Sequence, residues 1–554
     1  MLLSNMELLA TAPGGVAKLR ELILTLAVQG KLVPQDTADE PAGVLLQKIR
    51  AEKDRLIAEG KIKRDKALAE IAEEEKPFEL PQGWEWVRAL DICALITDGD
   101  HQPPPKADTG VPFLVIGDVR TGAVLLQGAS RFVPDSYFDE LDWGKKPFPG
   151  DVLYTTVGSF GIPVPVVQQQ RFCFQRHIAL LRPAVVDLQS YLALALRTTL
   201  AFAQAEKGAT GTAQKTVPLS VLRNLILPLP PLAEQSRIVT RVEALMRLCD
   251  ALEAKCQLEA TQHAQLVNTL LGTLTASTTP DELAAHWQRV AQHFDLLLDR
   301  PEAIDALEQT LLQLAVRGLL VPQDPTDEPA SALLQKIRAE KDRLIATGQI
   351  KRDKPLPPIT DEEKPFELPV GWEWARFGDA SINRDGERVP VSSSERENRA
   401  KVYDYYGASG VIDKIDGFLF DKTLLLIGED GANLINRSTP IAFLAHGKYW
   451  VNNHAHVIDT THPELMTYLA LFINAISLEP YVTGTAQPKM NQAKLNSIVV
   501  ALPPLAEQSR IVTRVTALRR LCADLRQRLA ERKSVQARLA EALVETASFS
   551  SEQC

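Results

Sequence analysis

No stretch of this 554-residue chain strings together the 18 or so apolar residues that a membrane helix needs, and MLLSNMELLATAPGG lacks the basic flank and apolar segment of a secretion signal. A cytoplasmic protein is expected. Six cysteines, Cys93, Cys173, Cys249, Cys256, Cys522 and Cys554, form no CxxC pair and show no metal-ligand spacing, so reduced, mostly buried thiols are expected and no metal site. Positive charge is not in excess either: 61 Lys and Arg against 70 Asp and Glu leave a formal charge of -9. That excludes a surface that grips nucleic acid along its whole length, because phosphate binding is driven by counterion release to Lys and Arg. Any DNA contact has to be local or shared with partners. The chain also has no GxxxxGK[ST] phosphate loop and none of the Asn/Asp-Pro-Pro-aromatic phrases of an adenine methyltransferase, and no nucleophile, base and orienting group can be assembled. It reads as noncatalytic.

What is present is a duplication. Leu45 to Ala58, LLQKIRAEKDRLIA, returns unchanged at Leu333 to Ala346, and Leu229 to Val242, LPPLAEQSRIVTRV, returns unchanged at Leu502 to Val515. The first pair is offset by 288 positions and the second by 273, so the second intervening stretch is 15 residues shorter than the first. Frame and insert therefore vary separately. At this length several domains are expected, and an apolar share of 45% with 24% charged residues suits a globular protein.

Each copy of the frame begins with a LAVxGxLVPQD phrase, a DEPA phrase and a charged helix, Lys48 to Lys66 in the first, whose interleaved acids and bases suit a solvated face, with partner docking as the sharper alternative and DNA contact third. The acidic pairs Asp39–Glu40 and Asp327–Glu328 run into Pro41 and Pro329, which predicts helix starts with Pro in the first turn. EEKPFELPxGWEW then leads into each insert, roughly Trp84 to Leu227 and Trp372 to Val500. Runs such as Val111 to Val119, Asp151 to Val157 and Thr423 to Gly428 predict strands, and Ser190 to Glu206 predicts a helix.

After each insert the apolar residues fall into a regular seam. Ile238, Val242, Leu245, Cys249, Leu252 and Cys256 are spaced 4, 3, 4, 3, 4, and Ile511, Val515, Leu518, Cys522, Leu525 and Leu529 repeat it. That is coiled-coil spacing. Both seams turn polar at equivalent places, Glu259 and His263 and then Arg532 and Gln536, before resuming at Leu266 and Leu270 and at Leu539 and Leu543. A shared interruption favours two helices packing together as equivalents, against the plainer alternative that each packs on its own insert. A helix from Leu232 to about Leu274 would run on the order of 60 Å.

LPLPPLAEQSRIVTRV (Leu227 to Val242) and VALPPLAEQSRIVTRV (Val500 to Val515), each closing an insert and opening a long helix, resemble the specificity subunit of Type I restriction-modification systems. LAVQGKLVPQD with KPFELPQGWEWVR, their second copies, and His293 to Asp324 between the halves resemble the same family, so the likeness covers essentially the whole chain. It implies an α+β fold: two mixed strand-rich target recognition domains joined by long, internally repeated helices that pack as an antiparallel coiled coil with pseudo-twofold symmetry. The expected organisation is a helical segment (1–83), a first recognition domain (84–228), a long helix (229–275), a linker with a second helical segment (276–371), a second recognition domain (372–501) and a second long helix (502–554). In the family each recognition domain reads one half of a split sequence on double-stranded DNA. The resemblance further implies two methyltransferase subunits, directed to adenine, and two restriction subunits that cleave with ATP. S-adenosylmethionine, ATP and magnesium would belong to those partners, with no cofactor in this chain.

Candidate DNA contacts follow. TGTAQKTV (Thr210 to Val217) and TGTAQPKM (Thr483 to Met490) occupy equivalent places, offering Thr212, Gln214 and Lys215 and then Thr485, Gln487 and Lys489. Lysine there neutralises phosphate and glutamine is able to pair with adenine, although repetition between unlike inserts favours backbone positioning over base reading, and a turn needed by the fold is the plainer alternative. His101 and Gln102, in TDGDHQPP, are candidates on family likeness, against a polar turn before a strand. Asn453, His454 and His456 invite a metal reading, but with only Asp459 near and no cysteine a hydrogen-bonded structural role is preferred.

Overall fold

The computed structural model describes residues 6–66, 68–99, 104–127, 129, 131–212, 214–277, 279–352, 354–484 and 487–549. It divides into two compact units, Met1–Leu258 with Lys533–Cys554, and Glu259–Arg532. The division cuts through both long helices, Leu232–Ala276 and Leu505–Phe549, each 45 residues. Each unit therefore holds one insert, the first part of the long helix that follows it and the last part of the other.

In the first unit, strand Glu85–Arg88 runs antiparallel to Ile226–Leu229, Glu85 opposite Leu229 and Arg88 opposite Ile226, which zips the two ends of the insert together. Between them lies an antiparallel sheet in the order Cys93–Asp98, Ile178–Pro183, Val152–Thr155, Pro163–Pro165. A second sheet has the order Phe132–Val133, Val111–Leu114, Cys173–Phe174, its last pair parallel. Every residue of Ile178–Pro183 is buried. Its one charge, Arg182, is held by both oxygens of Asp151 at 2.7 Å, by the carbonyls of Trp143 and Lys146, and by the Trp143 ring 4.1 Å away. Burial pushes the Asp151 carboxyl up, and Arg182 opposes it.

The expected helix over Ser190 to Glu206 is two helices, Gln189–Leu196 and Thr199–Gly208, because the Thr198 hydroxyl caps a new start by accepting from the Ala201 N–H. Helices Ala42–Ala58 and Ala330–Ala346 also begin one position differently from expectation: Pro41 and Pro329 stand at the N-cap, outside the first turn. Their preceding acids act at a distance. Asp39 pairs with Arg237 at 2.5 Å and Asp327 with Arg510 at 2.6 Å, fastening each loop to its long helix.

The second unit repeats the closure with Glu373–Arg376 against Val499–Leu502. Its insert carries two four-stranded sheets. One runs Ile382–Asn383, Ala455–Asp459, Leu424–Gly428, Ala442–Ala445; the other runs Gly410–Ile415, Tyr403–Gly407, Lys448–Val451, Phe420–Asp421. The inserts are thus different sheets on the same two-strand base.

The repeated phrases of the sequence meet at one buried carboxylate in each unit. Glu234, at the start of the first long helix, accepts from the Trp84 indole at 2.9 Å and from the Gln35 amide at 2.9 Å. Glu507 accepts from Trp372 at 2.9 Å and from Gln323 at 3.2 Å. Each glutamate is about 1% exposed, and burial pushes the Glu507 carboxyl up against the pull of Gln323 and Trp372. LAVxGxLVPQD, GWEW and PLAEQ recur together because they build this joint. Lys53 and Lys341 of the charged helices fix the inserts in turn, donating to the Leu90 and Gly378 carbonyls, while Arg55 and Arg343 pair with Glu52 and Glu340 on a solvated face.

The seam residues divide between two surroundings. Ile238, Val242 and Cys249 are buried in the first insert's core with Leu245 packed against it, Leu252 is half-buried, and Ile511 and Val515 lie in the second insert's core. Leu518, Cys522 and Leu525 instead share a cluster with Val267, Leu271 and Leu274 of the first long helix and with Ile304, Leu307 and Leu311. After the polar interruption the buried stripe does not resume at Leu266 and Leu539, which are 51% and 49% exposed. It resumes one residue later, at Val267 and Ala540, a four-four step in place of four-three at the same point of both helices. Such a step is a stutter, which locally unwinds a supercoil. His263, in the first interruption, turns to the linker, its Nε2 3.0 Å from the Leu296 carbonyl. Cys93, Cys173, Cys249 and Cys522 are buried thiols, that of Cys93 pushed up to about 12 by burial; Cys256 is half-buried, and Cys554 lies outside the described residues.

Candidate nucleic-acid interface

The duplicated TGTAQ loops are closed by the same backbone bridge and turn at the same glycine in both inserts. Thr210 and Thr216 exchange backbone hydrogen bonds at 2.8 Å, and Thr483 and Lys489 do so at 2.9 and 2.8 Å. The chain turns inside each bridge through Gly211 (φ 95°) and Gly484 (φ 85°). A Cβ at either would sit 2.6 or 2.8 Å from the carbonyl of Gln214 or Gln487, so glycine is required by conformation and by space.

Each loop is stitched to the turn after a central strand. Gly158 N–H donates to the Lys215 carbonyl and Val217 N–H to that of Thr156; Gly431 donates to Pro488 and Met490 to Glu429. The exposed side chains of Thr212, Gln214 and Gln487 are thereby presented from a pinned backbone. Lys215 pairs with Glu206 at 2.9 Å and Lys489 with Glu429 at 3.3 Å, each lysine about half exposed. Thr485, His101 and Gln102 lie outside the described residues.

The same turns bring in two histidines: His177, which the sequence did not single out, and His454, for which it favoured a hydrogen-bonded structural role. Thr156 N–H donates to the His177 carbonyl, and Glu429 N–H to that of His454, so the two histidines stand at matching places immediately before strands Ile178–Pro183 and Ala455–Asp459. Burial, with Arg176 beside it, lowers the pKa of His177. His454 is half exposed and its Nδ1 lies 2.7 Å from Asp430. The signal was present as RHIALL against NHAHVI, but the segments fall out of the 273 offset and so did not align.

Behind the second loop sits a charged network. His456 is buried, Nδ1 2.6 Å from Asp385 and Nε2 2.8 Å from the Met490 carbonyl. Arg388 joins Asp385 to Glu429, which holds Lys489. Burial alone would raise the Asp385 carboxyl, but His456 and Arg388 hold it below its usual range. His456 thus acts as a support of the loop's return strand, and no group of three or more potential metal ligands occurs among the described residues.

Two unlike sheets that present one shared loop, each followed by one shared long helix, describe a protein with a duplicated recognition head. Residues 81–262 and 369–532 match the model of the Type I restriction modification DNA specificity domain. The chain is 36% identical to the Type I restriction enzyme EcoEI specificity subunit of Escherichia coli over 96% of its length and 94% of that protein's, and 35% identical to the EcoAI specificity subunit of the same organism over the same shares. The crystal structure of the HsdS subunit from Thermoanaerobacter tengcongensis is 18% identical, covering 86% of this chain and 98% of that one at a TM-score of 0.40. This chain belongs to the family of Type I restriction-modification specificity subunits. It is a noncatalytic, DNA-recognising component of a multisubunit restriction-modification complex. Among the described residues no helix is long and apolar enough to cross a membrane.

Proposed function

We propose that this subunit reads a bipartite DNA target, with residues 84–228 on one half-site and 372–501 on the other, and with the helices Leu232–Ala276 and Leu505–Phe549 setting the unread gap. The observation that carries this reading is the shared loop on unlike sheets. A feature kept identical while its surroundings differ suits the part of DNA that is the same at every site, the phosphate backbone, so the TGTAQ turn positions, with Lys215 and Lys489 one place apart in the two loops supplying the charge, and the dissimilar surfaces around it specify. His177, His454, Gln214 and Gln487 flank that contact. The chain works as a cytoplasmic subunit with two methyltransferase subunits, directing adenine N6 methylation, and with two restriction subunits that cleave unmodified DNA using ATP. S-adenosylmethionine, ATP and magnesium are held by those partners.

The deciding experiment mixes the purified chain with its methyltransferase partner and titrates the duplex found by methylome sequencing. Binding to that duplex should exceed binding to a scrambled one and weaken steeply with salt. Salt-independent binding, or no preference for the methylated sequence, would remove the proposal.

A further inference from the structure

Both units dock a short helix on the long helix of the same half by nearly the same contacts. Gly15–Val28 lies with the first part of the first long helix and also meets the last part of the second through Lys18 and Glu541, while Pro301–Val316 lies with the first part of the second and, through Ile304, Leu307 and Leu311, with the last part of the first. The short helices carry duplicated apolar residues, Ile23 and Ala27 matching Leu311 and Ala315, and the segments that follow each of them repeat the aspartate–arginine and tryptophan–glutamate contacts to the same long helix. Contacts that are the same in both halves do not tell the halves apart. A chain with two interchangeable docking pairs is open to crossed pairing within one molecule and to helix exchange between copies.

One contact is reversed in sign. Arg20 of the first short helix reaches Asp250 at 2.7 Å and Glu253 at 2.8 Å on its long helix. At the 288 offset Arg20 becomes Glu308, and at the 273 offset Glu253 becomes Arg526. Glu308 pairs with Arg526 at 2.7 Å and with Arg519 at 3.0 Å, and Asp305 adds a contact to Arg526 at 2.6 Å. The first half is therefore positive on the short helix and negative on the long one, and the second half is the opposite. A crossed docking would keep every duplicated contact while setting Arg20 against Arg519 and Arg526, and Glu308 against Asp250 and Glu253.

We propose that this sign-reversed pair is a pairing code: it assigns each short helix to the long helix of its own half and bars helix exchange between copies of this chain. Charged residues flanking a helix seam select partners in this way, and selection works by repulsion in the wrong pair as much as by attraction in the right one.

The test recodes the second half with the first half's own residues, Asp305→Ala, Glu308→Arg, Arg519→Met, Ala523→Asp and Arg526→Glu. Every ion pair then has a matched partner, but both halves carry one code. Two differently tagged full-length copies, unfolded together and refolded by dilution, should give at least ten-fold more mixed-tag species from the recoded chain than from the natural one, rising with protein concentration. A second variant exchanges the codes between halves, adding to those changes Ala17→Asp, Arg20→Glu, Met246→Arg, Asp250→Ala and Glu253→Arg. It should return to the natural level of mixing. Refolding the natural chain in 1 M salt, where screening is close to complete, should raise mixing. A recoded chain that cannot fold while the exchanged one does supports the code, since both keep their local pairs. Equal mixing by the recoded and natural chains, or failure of the exchanged chain to recover, overturns it.

Discussion

Trp84 donates its indole N–H to the Glu234 carboxylate at 2.9 Å, and Trp372 does the same to Glu507 at 2.9 Å. These bonds join the residue just before the strand that opens each insert to the helix that leaves it, so insert and long helix meet at a fixed joint. Trp84→Phe keeps most of the ring's packing and removes one donor from a buried carboxylate. Such a bond to a charged group contributes roughly 1.5–3 kcal/mol. We expect the variant to lose that much in denaturant unfolding, with hydrogen exchange accelerated first around Glu85–Arg88 and Ile226–Leu229. Unchanged stability would show that the joint is held by packing alone.

Acid should act unequally on the two inserts. In the second, Asp385, Asp413 and Asp416 are held below the ordinary carboxylate range: Asp385, against its burial, by His456 and Arg388, Asp413 by Arg396 and Lys401, and Asp416 by Arg399. The stability they contribute is complete above the unfolded aspartate value of about 3.9 and disappears as pH falls through their lower folded values. In the first, burial raises the Asp151 carboxyl, so for that group a falling pH favours the folded form. Protection of strands Leu424–Gly428 and Ala455–Asp459 against hydrogen exchange should therefore be lost at a higher pH, within the range below about 4, than that of Val152–Thr155 and Ile178–Pro183. The reverse order would contradict the assignment.

The loop lysines carry a third expectation. If Lys215 and Lys489 each meet one phosphate, alanine at either weakens binding to every sequence alike and reduces the slope of log affinity against log salt by about 0.9. Because Lys215 is paired with Glu206, Glu206→Gln should strengthen binding. Fluorescence anisotropy of the assembled complex over a salt series reads both effects. An altered sequence preference with an unchanged slope would make these residues base readers.

Much of this architecture was legible in the sequence, and the departures have physical causes. The four-three spacing located both long helices because a helix with one apolar face has little freedom of period. The shift after the interruption was not legible: Leu266 and Val267 are adjacent and both apolar, and at the matching place Leu539 is the more hydrophobic residue yet Ala540 is buried. Ala540 packs with Leu9 and Ala12, a contact between distant parts of the chain that no local period reports. The break at Thr198 was masked by apolar residues on both sides of a capping threonine. The shared loops were visible by their identity, whereas His177 and His454 match only through the strands they precede.

The helices as spacers carry their own expectation. Four residues inserted at the polar interruption of one long helix lengthen it by roughly 6 Å, against about 3.4 Å per base pair. The unread gap in the methylated sequence should grow by one or two base pairs while both half-sites persist.

The claim on which all of this depends is that each insert reads its own half-site. Replacing only residues 84–227 by the corresponding insert of another specificity subunit, followed by single-molecule methylome sequencing of the cells, tests it most directly. The account predicts a new sequence in one half of the methylated site, with the other half and the gap unchanged. Alteration of both halves would contradict it.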